Sequence, residues 1–146
     1  MTSYTLSPSG MTLIKTFEGL RLKAYLCPAG VPTIGYGHTG SVKLGDTITA
    51  AHAEHLLRED LRRFEAAIDR LVAVPLTQGQ FDALVSFTFN VGTAAFQRST
   101  LRRVLNTGEY DAVPSQFKRW VYGDPKKPPL LGLLRRRHAE IARWLS

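Results

Sequence analysis

Cysteine is almost absent from this sequence. Cys27 stands alone among 146 residues, so no internal disulfide can brace the fold and stability must come from packing. No apolar run reaches the roughly 20 residues needed to cross a bilayer. The opening residues, MTSYTLSPSG, hold neither a basic stretch nor an apolar run. No secretory signal is read there, and the expectation is a protein that folds in the cytoplasm. The four histidines, His38, His52, His55 and His138, are scattered. His52 and His55 are spaced to share a helix, but no third ligand accompanies them, so no metal and no other cofactor is expected. Helix-turn-helix and zinc motifs are also missing, which removes support for a nucleic-acid partner. There is no internal repeat and no low-complexity segment.

What remains is ordinary globular material. Apolar residues make up 44% and charged residues 21%, enough for a real core in one domain spanning residues 1–146. The net charge is +7 and is unevenly spread. Residues 102–146 carry ten basic and four acidic side chains, against nine and eight in residues 1–101. Such a distribution suits either a solvated basic surface or attraction to a polyanion, and charge alone does not choose.

The periodicity predicts an α+β protein, with an early sheet followed mostly by helices. Ser7-Pro8 is a helix start, with Leu13, Ile14 and Phe17 on one face and Gly19 as the stop. Residues 24–44 read as a small antiparallel sheet of two or three strands, rich in β-formers and broken by Gly30, Gly35, Gly37 and Gly40. Thr49 caps a long helix to about Leu71 with an apolar stripe of Ala53, Leu56, Leu57, Leu61, Phe64, Ile68 and Leu71. Thr77 caps another, ending near Gly92. Shorter helices are expected at about 99–107 and 110–119, with Pro114 disturbing the second. The Pro-rich stretch 122–129 reads as an exposed loop. A last helix covers about 131–145, with Leu134, His138, Ile141 and Leu145 sharing a face and Arg135, Arg136 and Arg137 partly outward. Trp120 and Trp144 read as core residues.

Glu18 is the first candidate for chemistry. It falls in the last turn of a helix, near the negative end of the dipole, where the charged form of a carboxyl is disfavoured. A glycosidic general acid needs that bias. From the local sequence alone, a surface carboxylate is the simpler reading. Cys27 and Thr33 follow nine and fifteen positions later. If the strands fold back across the helix end, all three side chains could share one site. Taken alone, a lone cysteine is more often a buried filler and a strand threonine a good β-former.

The run Glu18-Gly19-Leu20-Arg21-Leu22-Lys23-Ala24-Tyr25-Leu26-Cys27, continuing through Thr33-Ile34-Gly35-Tyr36-Gly37-His38-Thr39-Gly40, closely resembles the phage-type lysozymes of glycoside hydrolase family 24, in particular endolysins. The likeness recurs at Ala53-Glu54, Leu57-Arg58-Glu59-Asp60-Leu61, Val74-Pro75-Leu76-Thr77, the segments 80–87 and 89–92, Arg119-Trp120 and 132–137. The resemblance implies a two-lobed lysozyme-like fold, a small antiparallel sheet lobe joined by a long helix to a mainly helical lobe. It implies a muramidase cutting the β-1,4 bond between N-acetylmuramic acid and N-acetylglucosamine. Its active site would be Glu18, Cys27 and Thr33, with cysteine replacing the commoner aspartate. Members are generally inverting, so Glu18 would protonate the leaving oxygen and Thr33 would aim a water. Cys27 would orient that water, act as a partly ionised base or, less simply, form a covalent bond. His38 is expected to pair structurally with Asp60, the functional alternative being a second general base. Asn90 and Ser99 match positions that line the sugar site in relatives, though either residue could instead cap a helix.

The partners implied are peptidoglycan glycan strands and a membrane pore, or holin. The pore would let a monomeric enzyme leave the host cytoplasm for the wall. Competing readings are a lytic transglycosylase, a basic nucleic-acid-binding domain and an inactive wall-binding or envelope-disrupting protein. Thr33 as a water positioner argues for hydrolysis over transglycosylation.

Overall fold

The computed structural model describes residues 4–146, which group into two compact units. One is the continuous stretch Ile14–Arg63. The other combines residues up to Leu13 with Phe64–Ser146. The boundaries fall inside two helices, α1 (Pro8–Glu18) and α2 (Ala50–Leu71), so each helix contributes one part to either unit.

The unit Ile14–Arg63 holds the end of α1, a hairpin of β1 (Arg21–Leu26) and β2 (Pro32–Gly35), and the first part of α2. The strands pair antiparallel, with Tyr25 opposite Thr33, Leu26 opposite Pro32, and an irregularity between Arg21 and Tyr25. Of the two or three strands expected, two form the sheet, and beyond them lie two isolated bridges, Lys23 with Thr47 and Ile34 with His38. α1 ends at Gly19, whose φ of +73° is a left-handed conformation that glycine adopts without a Cβ penalty. That stop leaves Glu18 as the last helical residue. The Thr49 hydroxyl accepts from the His52 amide (3.1 Å) at the start of α2. Ile14, Ala24, Ile34, Ala53, Leu57 and Leu61 are buried and form this unit's core.

The second unit is built on α3 (Gln78–Val91), in which Gly79 and every residue from 81 to 88 are buried. Its apolar residues Phe81, Ala83, Leu84, Val85 and Phe87 lie in the core, and it also buries the polar Asp82, Ser86 and Thr88. Thr77 starts it with a full capping box, its side chain bonded to the Gln80 amide and the Gln80 side chain to the Thr77 amide. α4 (Thr93–Arg98) and α5 (Thr100–Asn106) follow, then a 3₁₀ turn at Tyr110–Ala112 and α6 (Val113–Phe117). Pro114 sits in the first turn of α6, where its missing N–H costs nothing. α4 has no counterpart among the expected helices; at six residues it is too short to show a period. An aromatic cluster fills the core, with Phe87 edge-on to Phe96, Phe117 and Trp120, and Phe117 edge-on to Trp144.

α7 (Leu131–Leu145) corrects the sequence reading. Leu134 and Leu145 are exposed at 44% and 70%, and His138 is exposed too. The inward face carries Arg136, Arg137, Glu140 and Trp144 instead. The reason is a buried ionic network. Glu140, fully buried, receives hydrogen bonds from Ser86 Oγ (2.6 Å), Arg136 Nε (3.3 Å) and Arg137 Nη1. Arg137 also bonds the Trp120 carbonyl (2.8 Å) and lies over the Phe87 ring. Arg136 reaches the Ser86 carbonyl (3.0 Å). Burial pushes the Arg137 guanidinium below its ordinary value, while Glu140 opposes the shift. A second buried carboxylate, Asp82, gathers the Ser7 amide (3.1 Å) and hydroxyl, Gln78 and Arg143.

Candidate active site

Glu18, Cys27, Thr33, His38 and Asp60 all lie in the unit Ile14–Arg63. Asn90 and Ser99 belong to the other unit.

Glu18 is half-buried at the end of α1. A methyl group on Gly37 would come within 3.5 Å of its Oε1, and Gly37 has a φ of +87°. That is ordinary van der Waals distance, so the positive φ, and not lack of space, favours glycine beside the carboxyl. The sequence reading passed over Gly37 as a mere helix breaker. Its signal was the Gly35-Tyr36-Gly37 run, in which both glycines take positive φ.

Cys27 follows directly on β1 and opens the hairpin turn. Its amide donates to the Val31 carbonyl (3.0 Å), and its carbonyl accepts from the Gly30 amide (2.8 Å). That turn directs the Val31 and Ala29 amides at the sulfur. They hold the Cys27 thiol below its ordinary value, with a smaller opposing effect from burial and a further lowering from the Thr33 hydroxyl. Thr33 is buried, and its hydroxyl donates to the Val31 carbonyl (2.9 Å). One hydroxyl hydrogen cannot serve both acceptors at once. A thiol leaves it on the carbonyl, and a thiolate competes for it.

His38 Nδ1 stands 2.8 Å from Asp60 Oδ2, and its Nε2 stands 3.0 Å from the Gly40 carbonyl. Both ring nitrogens face acceptors, so the imidazole is fixed between α2 and the loop after β2. Nearby, Lys15 pairs with Glu54, and that contact holds the Glu54 carboxyl below its usual range. Arg21 lies over the Tyr25 ring at 4.3 Å.

Ser99 is the N-cap of α5. Its hydroxyl accepts from the Arg102 amide (3.1 Å) and donates to the Phe96 carbonyl (2.6 Å). Both bonds are local, so its side chain is committed to the helix start. Ser99 also borders a groove of about 580 Å³ with Arg98, Gln116, Arg119, Trp120 and Tyr122. Asn90 caps no helix; its exposed side chain accepts from Arg137. That partner was hidden from a sequence reading that placed Arg137 outward. Trp144 is buried, whereas Trp120 packs on Phe87 and still borders the groove. No group of three or more metal-binding side chains occurs among the described residues.

The phage lysozyme family model matches residues 15–140. The endolysin of Acyrthosiphon pisum secondary endosymbiont phage 1 is 48% identical over 143 residues, covering 97% of this chain and 98% of that protein. The endolysin of Salmonella phage P22 is also 48% identical, over 146 residues, with the same shares covered. Among solved structures, the muramidase domain of SpmX from Asticaccaulis excentricus superposes with a TM-score of 0.94 at 42% identity, covering 98% of this chain and 99% of that one. The α+β architecture, the carboxylate ending α1 and a sequence match over nearly the whole length lead to one conclusion: this chain belongs to the phage lysozyme family and is a lysozyme-type hydrolase.

Proposed function

We propose that the protein is an endolysin-type muramidase that hydrolyses the β-1,4 bond between N-acetylmuramic acid and N-acetylglucosamine in peptidoglycan, with Glu18 as general acid. The observation that carries this reading is the placement of Glu18. It is a half-buried carboxyl at a helix C-terminus, with the bare backbone of Gly37 beside it. Gly37 itself places no side chain between that carboxyl and a sugar ring.

Glu18 gives its proton to the leaving glycosidic oxygen as the bond to the anomeric carbon breaks. Positive charge develops on that carbon, and water attacks the opposite face. Inverting glycosidases hold their two catalytic groups about 6.5–9.5 Å apart to leave room for that water. Thr33 orients the water. Cys27 assists by its position beside Thr33, and its lowered thiol supports a share of thiolate that can take the water's proton and offset the cationic charge.

Asn90 supplies an amide for the glycan's N-acetyl and hydroxyl groups, with Arg137 fixing its orientation. Ser99 contributes through its place at the head of α5, because its hydroxyl is already engaged. His38 and Asp60 hold the loop after β2 as a structural pair. The enzyme acts as a monomer. No helix among the described residues is long and apolar enough to cross a membrane. The protein waits in the host cytoplasm and reaches the wall through a pore made by a holin.

Clearance of a purified wall suspension tests the assignment. Glu18→Gln is expected to slow it by about 10²–10⁴-fold, the usual loss for a general acid. A Glu18→Gln protein that clears the suspension at the unaltered rate overturns the reading. Mass spectrometry of the digest separates hydrolysis, which adds water to the new end, from transglycosylation, which leaves an anhydro-sugar.

A further inference from the structure

We propose that the outer face of the loop before α7 and of the first turns of α7 is a docking surface for an anionic lipid bilayer. Tyr122, Leu130, Leu131 and Leu134 are exposed at 48%, 51%, 59% and 44%. Single exposed leucines are ordinary on a protein surface; a cluster at the head of one helix is not. Leu131 and Leu134 are one helical turn apart, so they share a face. Leu130 immediately precedes them and lies over the backbone of Gly123, next to Tyr122. The Leu130 amide donates to the Val121 carbonyl (2.9 Å), which ties the two ends of the loop together.

These side chains cannot turn inward. The opposite face of α7 is held by Glu140 with Arg136, Arg137 and Ser86, all buried. Rolling the helix to bury Leu131 and Leu134 would strip a buried carboxylate of its partners.

The rim selects the occupant. Lys126, Lys127 and Arg135 are exposed around the leucines. The one exposed acid of this segment, Asp124, already accepts from the Lys126 amide (2.9 Å). Short apolar side chains ringed by cations suit the boundary between lipid headgroups and acyl chains. Basic side chains gain there from the negative surface of anionic lipids. A protein partner of average composition would supply no such field. The binding is peripheral, since no helix among the described residues is long and apolar enough to span a membrane.

The test is co-sedimentation of the full chain with vesicles of phosphatidylcholine alone or mixed with phosphatidylglycerol. Binding is expected on the mixed vesicles at low salt, with little on phosphatidylcholine, and should fall steeply at about 0.5 M NaCl. Lys126→Gln and Lys127→Gln should each weaken binding about fivefold. Leu131→Ser combined with Leu134→Ser should weaken it about tenfold or more while wall clearance and the melting curve stay unchanged. Absence of binding to the mixed vesicles overturns the proposal. So does binding indifferent to the paired leucine changes. A dimer in sedimentation that those changes dissociate overturns it as well, because the occupant is then a second copy. Glu18→Gln is expected to bind vesicles normally, which keeps this result separate from the muramidase assignment.

Discussion

The turn that follows β1 concentrates hydrogen bonding on one sulfur. Backbone hydrogen bonds from Val31, Ala29 and Cys27 itself favour the charged sulfur, and Thr33 adds a hydroxyl. A free cysteine is mostly neutral at pH 7, with a pKa of about 8.5. Here hydrogen bonding favours the thiolate, so the charged form is populated at lower pH than usual and is lost as pH falls through the lowered value. If the thiolate takes a proton from water, kcat/KM should rise with pH across that titration. Cys27→Ser is expected to flatten this limb of the profile. Cys27→Asp is expected to shift it toward acid, because a carboxylate ionises near pH 4, at about 3.9 for aspartate. An unchanged limb in Cys27→Ser would assign the thiol a purely steric place.

At the scale of elements, α7 shows what a charged network can impose. Its roll follows from Glu140 and two arginines, not from the leucines that define its apparent stripe. Removing the charge of Glu140 leaves both guanidiniums buried without their counter-ion. Glu140→Gln is therefore expected to lose about 3–5 kcal/mol in urea unfolding, the typical cost of breaking a buried pair from one side. A loss under 1 kcal/mol, within the usual reach of a surface pair, would mean that α7 is held by its apolar contacts alone.

The same helix shows where reading a sequence stops. Thr49, Thr77 and Gly19 act through neighbours three or four positions away, so the ends of α2, α3 and α1 were legible. Glu18, Cys27 and Thr33 were legible as candidates for a similar reason: they lie in one short block that resembles a family motif. Arg136 and Arg137 owe their burial to Ser86, Asn90 and Trp120, which are distant in the chain, and no local period reports that. The amides aimed at Cys27 were equally hidden, because backbone direction in a turn leaves no mark in side-chain identity.

At the scale of the molecule, the charge of +7 lies mainly in the last third of the chain. A polyanionic envelope should therefore draw the protein in over distances comparable to the Debye length, about 10 Å at 0.1 M salt and about 3 Å at 1 M. The initial rate of wall clearance is expected to fall several-fold between low salt and about 0.5 M NaCl, with kcat on a short uncharged oligosaccharide unaffected. An equal loss on both substrates would place the salt effect in the folded state and not in encounter.

One of the two units is contiguous and the other is not, and this difference dictates an order of assembly on the ribosome. Ile14–Arg63 leaves the exit tunnel as an uninterrupted stretch and can begin to fold while synthesis continues. The residues ahead of it cannot settle so early. The Leu6 amide waits for Glu65 and Ser7 for Asp82, and Asp82 in turn waits for Arg143 in α7. A ribosome stalled before α7 would therefore hold a nascent chain in which the buried carboxylate of Asp82 still lacks its guanidinium partner.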